Sequence, residues 1–171
     1  MTKAKKTAVK KPVRKHTPKP APKAAPVATR RTESEFTVTT ATEITATFTD
    51  TIGLTAKVAA AVAAENVNIL AATGYSASSL RRNATFTLIV DDFARAERAL
   101  EKIGAEEIYE STVLLVETPN KVGSLERVTG IIAKAGINIY YFYATTSHGK
   151  TATTVIKTAD DKKTMRLLQR G

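Results

Sequence analysis

The chain has no cysteine, no tryptophan, two methionines and two histidines in 171 residues. Without thiols there can be no disulfide, no zinc–thiolate site and no cysteine nucleophile. His16 and His148 stand alone, with no second histidine nearby to build a metal site or a nucleophilic relay. No apolar run approaches the roughly 18 residues of a membrane helix. The N-terminus lacks the apolar stretch of a signal peptide. Enzymatic activity, a cofactor and a bound metal are not expected, and a cytoplasmic protein with no membrane partner is.

Proline and positive charge are scarce except in one place. Residues 1–35 hold five of the six prolines, eleven Lys/Arg against two Glu, and neither glycine nor an aromatic ring. The remaining residues hold fifteen Lys/Arg against fourteen Asp/Glu, a net of +1, so +9 of the net +10 belongs to this tail. Its composition cannot bury enough apolar surface to offset the entropy of ordering it, and a disordered arm is expected. Such an arm resembles the Lys/Ala/Pro tails of linker-histone-like proteins. It would bind nucleic acid nonspecifically through counterion release, or serve only as a solubilising extension. No aromatic is interleaved to stack on bases.

What the rest of the chain does have is an internal repeat. Displacing the sequence by about 70 residues sets Asp50-Thr51-Ile52-Gly53 on Asn120-Lys121-Val122-Gly123, and Val67-Asn68-Ile69 on Ile137-Asn138-Ile139. One deletion later, Asp91-Asp92 falls on Asp160-Asp161. That period is too long for a solenoid unit and long enough for a small domain. In the first copy, Glu43 to Thr49 alternates like a strand, with Ile44, Ala46 and Phe48 on one side. A helical stripe through Val58 and Val62 follows. Strands are expected over Val67–Ser76 and Asn83–Val90, then a helix capped by Asp91-Asp92, then an extended stretch from Glu106. The second copy repeats this order from Val113. The fold class is α+β: two ferredoxin-like βαββαβ modules with antiparallel sheets, over 36–110 and 111–171, behind the tail of residues 1–35.

The second copy lacks room for a last strand, whereas Phe36 to Thr42 is an extra β-prone stretch ahead of the first. Either this stretch closes the second sheet, or, more simply, it begins the first strand. Ile137 to Thr146 carries apolar side chains on both faces, with Ile137, Ile139, Tyr141 and Tyr143 one way and Tyr140, Phe142 and Ala144 the other. A sheet with helices on one side only should not show this. A second subunit covering the far face, hence a homodimer, is the expected reason; packing against the chain's own first module is the other.

Glu117-Thr118-Pro119-Asn120-Lys121-Val122-Gly123-Ser124-Leu125, followed by Gly136-Ile137-Asn138-Ile139-Tyr140, resembles the signature of the ACT domain. The whole arrangement is similar to small tandem-ACT proteins without an attached enzyme. The first copy departs from the pattern, lacking the proline before Asp50 and carrying Glu65-Asn66 ahead of Val67. The resemblance implies a free amino acid, or a similar small metabolite, bound near the strand–turn–helix loop. The ligand-binding candidates are Asp50, Ile52, Gly53, Leu54 and Asn68 in the first copy, and Asn120, Val122, Gly123, Ser124, Leu125 and Asn138 in the second. Gly53 and Gly123 let a backbone pass close to a ligand. The helices they open present free N–H groups that suit a carboxylate. Asp50 or Asn120 would accept from an ammonium group. Asn68 and Asn138 also have a purely structural reading, satisfying backbone groups where the chain reverses. The function expected is that of a non-catalytic regulatory protein binding an amino acid; the alternative is a nucleic-acid-associated protein held by its tail, with modules that dimerise.

Overall fold

The computed structural model describes residues 35–76, 83–146 and 149–170. The tail, residues 77–82 between β2 and β3, and residues 147 and 148 lie outside these. Ten elements follow in order: β1 (Thr37–Thr49), α1 (Leu54–Ala64), β2 (Ile69–Ser76), β3 (Asn83–Val90), α2 (Phe93–Lys102), β4 (Glu107–Pro119), α3 (Ser124–Lys134), β5 (Ile139–Thr146), β6 (Thr151–Thr158) and α4 (Asp161–Leu168).

The class is α+β as expected, but two separate sheets are not what forms. The six strands make one antiparallel sheet in the order β2-β3-β1-β4-β6-β5. The reason lies in the two 13-residue strands at its centre. The C-terminal half of β1 pairs with β3, and all of β1 from Thr37 to Thr47 pairs with β4, from Glu117 back to Glu107. The division expected at 110/111 therefore falls inside β4. Both readings of residues 36–42 hold together: the stretch begins β1, and it also lies beside Thr112–Glu117 as a neighbour to the second half.

Packing follows the same division. Phe36, Val38, Ile44, Ala46 and Phe48 share one side of the extended chain, since alternate residues face the same way. Ile44, Ala46 and Phe48 pack with Val58 and Val62 of α1 and Leu100 of α2. Phe36 and Val38 pack with Val128 and Ile132 of α3 and Leu168 of α4. All four helices thus lie on one face of the sheet. Phe48 meets Phe86 edge-on, ring centroids 6.0 Å apart. The N-terminal end of β1 is also held by charge. Glu35 pairs with Lys121 at 2.7 Å and with Arg127, whose guanidinium lies over the Phe36 ring. The Lys121 hydrogen bond holds the Glu35 carboxyl below its ordinary value.

The paired aspartates start helices, as their position in the repeat requires. Asp92 accepts from the Arg95 N–H at 3.0 Å and Asp160 from the Lys163 N–H at 2.8 Å.

The alternation expected for Ile137 to Thr146 needs correction. A register shift lies between Ile139 and Tyr141, and a matching one between Ile69 and Ala71 in the first copy. Each turns the strand over. Ile139 consequently packs against the helix-side core, while Tyr143 joins Ile89, Val113 and Val155 on the opposite face. That opposite face is closed in part by the chain itself, since Ile89 comes from the first half and Val155 from the second. Packing against its own first module accounts for these residues. Tyr140 and Phe142 remain exposed.

Candidate functional site

The two strand–turn–helix loops are built alike. Gly53 and Gly123 stand immediately before α1 and α3 with φ of 83° and 87°, in the left-handed region where a Cβ is penalised. Ile52 and Val122, one residue earlier, are fully exposed. Neither helix has a side-chain N-cap. Their first-turn N–H groups are therefore not capped by a side chain, as a carboxylate-binding helix end would require.

The loops differ in what surrounds them. Beside the first lies a hollow of about 590 Å³, lined among others by Asp50, Gly53, Leu54, Thr55, Ala72 and Ser76. It runs from the start of α1 along the edge strand β2. Asp50 accepts from the Ser76 hydroxyl at 2.6 Å, which fixes its carboxylate at the rim. No acidic residue occupies the first turn of α1. Leu54 is buried and forms the apolar floor together with Phe86.

The second loop is tied to its neighbours. The Asn120 side chain donates to the Gly149 carbonyl at 3.2 Å, and its backbone N–H to Lys150 at 2.8 Å. Ser124 donates to the Pro119 carbonyl at 2.5 Å. Glu126 adds a negative charge to the first turn of α3, and Leu125 is partly exposed. Asp50, Gly53 and Leu54 are thus brought together around one hollow, whereas Asn120, Gly123 and Ser124 share a turn braced by Gly149 and Lys150 and by its own Ser124–Pro119 bond.

Asn68 and Asn138 stand elsewhere. Each precedes the strand that returns toward its loop, so it lies at the far end of that strand. The Asn68 N–H donates to the Asp91 carboxylate at 2.9 Å and its carbonyl accepts from Asp91 at 3.2 Å. The Asn138 carbonyl accepts from Ala159 at 2.9 Å. These bonds are made by the backbone of the two asparagines where the chain reverses. Asn138 also borders a shallow hollow of about 410 Å³ with Glu126 and Thr129.

One feature of the helix-free face is invisible from the sequence pattern. Glu43 is completely buried there. Its carboxylate accepts from the hydroxyls of Tyr141, Tyr143 (3.0 Å) and Ser111 (3.3 Å). Burial, reinforced by the bond to Glu43, pushes the Tyr141 phenol up to about 12. Burial first, and then the Glu43 charge, raise the Tyr143 phenol as well.

Comparison with known proteins agrees with the topology. Residues 112–169 match the family model of the ACT domain. A crystal structure of a Bacteroides thetaiotaomicron protein is similar at 23% identity, with a TM-score of 0.68 over 77% of this chain and 88% of that one. The ligand-free regulatory subunit of aspartate kinase from Thermus thermophilus is 18% identical, with a TM-score of 0.57 over 78% of this chain and 93% of that one. A structure of aspartokinase alpha and beta subunits gives 22% and 0.58 over 81% and 95%. These likenesses establish the fold. No curated protein matches. Among the described residues no helix is long and apolar enough to cross a membrane, and no cluster of His, Asp or Glu could hold a metal.

Proposed function

We propose that this chain is a non-catalytic regulatory protein with tandem ACT-like halves, which binds a free amino acid at the loop between β1 and α1. The observation that carries the reading is the pairing of opposite preferences around one hollow. The open N-terminus of α1 offers N–H groups and a positive dipole end to an α-carboxylate. Asp50, held by Ser76 at the same rim, offers a carboxylate to the α-ammonium. The ligand side chain would extend along Ala72 and the floor made by Leu54 and Phe86. The first loop, not the better family match at Asn120–Gly123, is the primary site in this reading, because the second is braced by its own hydrogen bonds. A homodimer joined through exposed edge-strand residues such as Leu70, Tyr140 and Phe142 would let ligand occupancy alter subunit contacts.

A thermal-shift screen of the full chain against the twenty amino acids tests this. At 100 times the dissociation constant a native-state binder adds about 2.7 kcal/mol. One or two hits abolished by Asp50→Ala, and retained in Asn120→Ala, are expected. A flat screen with cooperative unfolding throughout would refute the reading.

A further inference from the structure

Beyond the loop site, the helix-free face of the sheet holds a buried negative charge with no basic partner. Glu43 is buried in the middle of β1, and no lysine or arginine among the described residues pairs with it. Burying a carboxylate is costly unless it is hydrogen-bonded or paired. Three hydroxyls meet its hydrogen-bonding need and leave its charge in place. Lys157 lies opposite Tyr141 of β5. Its ammonium is taken by Asp161 at 2.7 Å and the Thr112 carbonyl at 2.7 Å, so it cancels Asp161 and not Glu43.

The two tyrosines bonded to Glu43 also line a hollow of about 290 Å³ that opens between the two ends of the sheet, with Glu43 itself behind them. Its walls include Thr45 and Thr87, hydroxyl to hydroxyl at 3.3 Å, together with Thr73, Tyr75, Tyr141 and Tyr143. β2 and β5 are the two outermost strands of the sheet, yet Tyr75 of β2 and Tyr141 of β5 line the same space. Curling thus gathers tyrosines from opposite edges. Two of these rings donate their hydroxyl protons to Glu43, which raises the electron density left on oxygen and ring. Aromatic faces attract organic cations, and desolvation strengthens the attraction. The volume is just below the roughly 300–1,000 Å³ usual for ligand pockets, so it suits a small molecule.

We infer that this hydroxyl- and tyrosine-lined hollow is a second ligand site, selective for a small organic ammonium ion, with Glu43 supplying the charge and Tyr75, Tyr141 and Tyr143 the walls. The inference does not depend on the amino-acid site, because a ligand without a carboxylate would satisfy it.

The test is an NMR titration of the tyrosine ring resonances in the full chain. The probes are tetramethylammonium chloride, its uncharged analogue tert-butanol, and sodium chloride at matched ionic strength. Saturable shifts with tetramethylammonium alone are expected. Glu43→Gln should weaken binding about tenfold or more, since the charge behind the Tyr141 and Tyr143 rings is lost. Tyr75 is 60% exposed, so Tyr75→Leu spares the core and should also weaken binding severalfold. Asp50→Ala should leave it unchanged while abolishing the amino-acid response. Shifts that never saturate, equal binding of tert-butanol, or unaltered affinity in folded Glu43→Gln or Tyr75→Leu would overturn the inference. Should Glu43→Gln fail to fold, Tyr75→Leu and the charge comparison decide it alone.

Discussion

Tyr143 donates a 3.0 Å hydrogen bond to Glu43, exactly one hundred positions earlier in the chain and on a strand separated from its own by two others. In a flat sheet three strand spacings would put these backbones about 14 Å apart. The bond therefore depends on the curl of the sheet and links the first half of the chain to the second.

Cutting that link has a measurable cost. Tyr143→Phe leaves the buried carboxylate one donor short, and a hydrogen bond to a charged group is worth about 1.5–3 kcal/mol. In a Glu43→Gln background the same change should cost distinctly less, because the charge that demanded the donor is gone. Urea denaturation of the four proteins of this double-mutant cycle gives the coupling, expected at about 1 kcal/mol. Additive losses would mean the two side chains do not interact.

The same contact sets a behaviour in alkali. The folded-state values of Tyr141 and Tyr143 are raised, by burial first and by Glu43 after it. Unfolded tyrosine ionises near about 10. The neutral phenols therefore favour the folded state fully below that pH, and their contribution is lost as pH rises through the folded values. Absorbance titration should show two phenols ionising late, coincident with alkaline unfolding. Tyr109, raised by its contact with Glu107, is separated by substituting it with Phe. Glu43→Gln should move the late phase to lower pH.

The start of β1 should matter to the half of the chain farther along in sequence. Phe36 sits in the core of α3 and α4, beside Leu114, Val116 and Leu168. Phe36→Ala should cost about 3–5 kcal/mol. Hydrogen exchange should locate the loss first in β4, β6 and α3, and only later in α1 and β2. Uniform loss across both halves would show that the shared strands make the sheet a single cooperative unit.

The sequence exposed most of this arrangement because the repeat carries its own punctuation. Gly53 and Gly123 mark the starts of α1 and α3, Asp92 and Asp160 cap α2 and α4, and Asn83–Val90 forms a strand at the expected limits. Two kinds of information were absent. Strand alternation assumes an unbroken pleat, so the shifts before Ala71 and Tyr141 hide from any period-two count, although their spacing by one repeat length makes them a matched pair. Glu43 reads as solvent-facing because it alternates with Ile44, Ala46 and Phe48 across the pleat. Only the curl of the sheet, a long-range property, brings Tyr141 and Tyr143 over it. The hollow at Asp50 is a similar case: its loop residues were legible, but its wall comes from β2 and β3.

Gly53 offers the sharpest check on the first loop. A Cβ added there would meet no atom within 4 Å, so substitution acts through backbone conformation alone. With φ at 83°, Gly53→Ala should cost about 1–2 kcal/mol. Gly53→Asn should cost less, because asparagine visits the left-handed region more readily. Gly123, with equally open surroundings, should give the same order. The two loops would then diverge in the ligand assay: Gly53→Ala should weaken the amino-acid response by disturbing the start of α1, and Gly123→Ala should leave it intact. Equal loss of response in both would place ligand at both loops, whereas equal retention would move the binding site away from the helix starts.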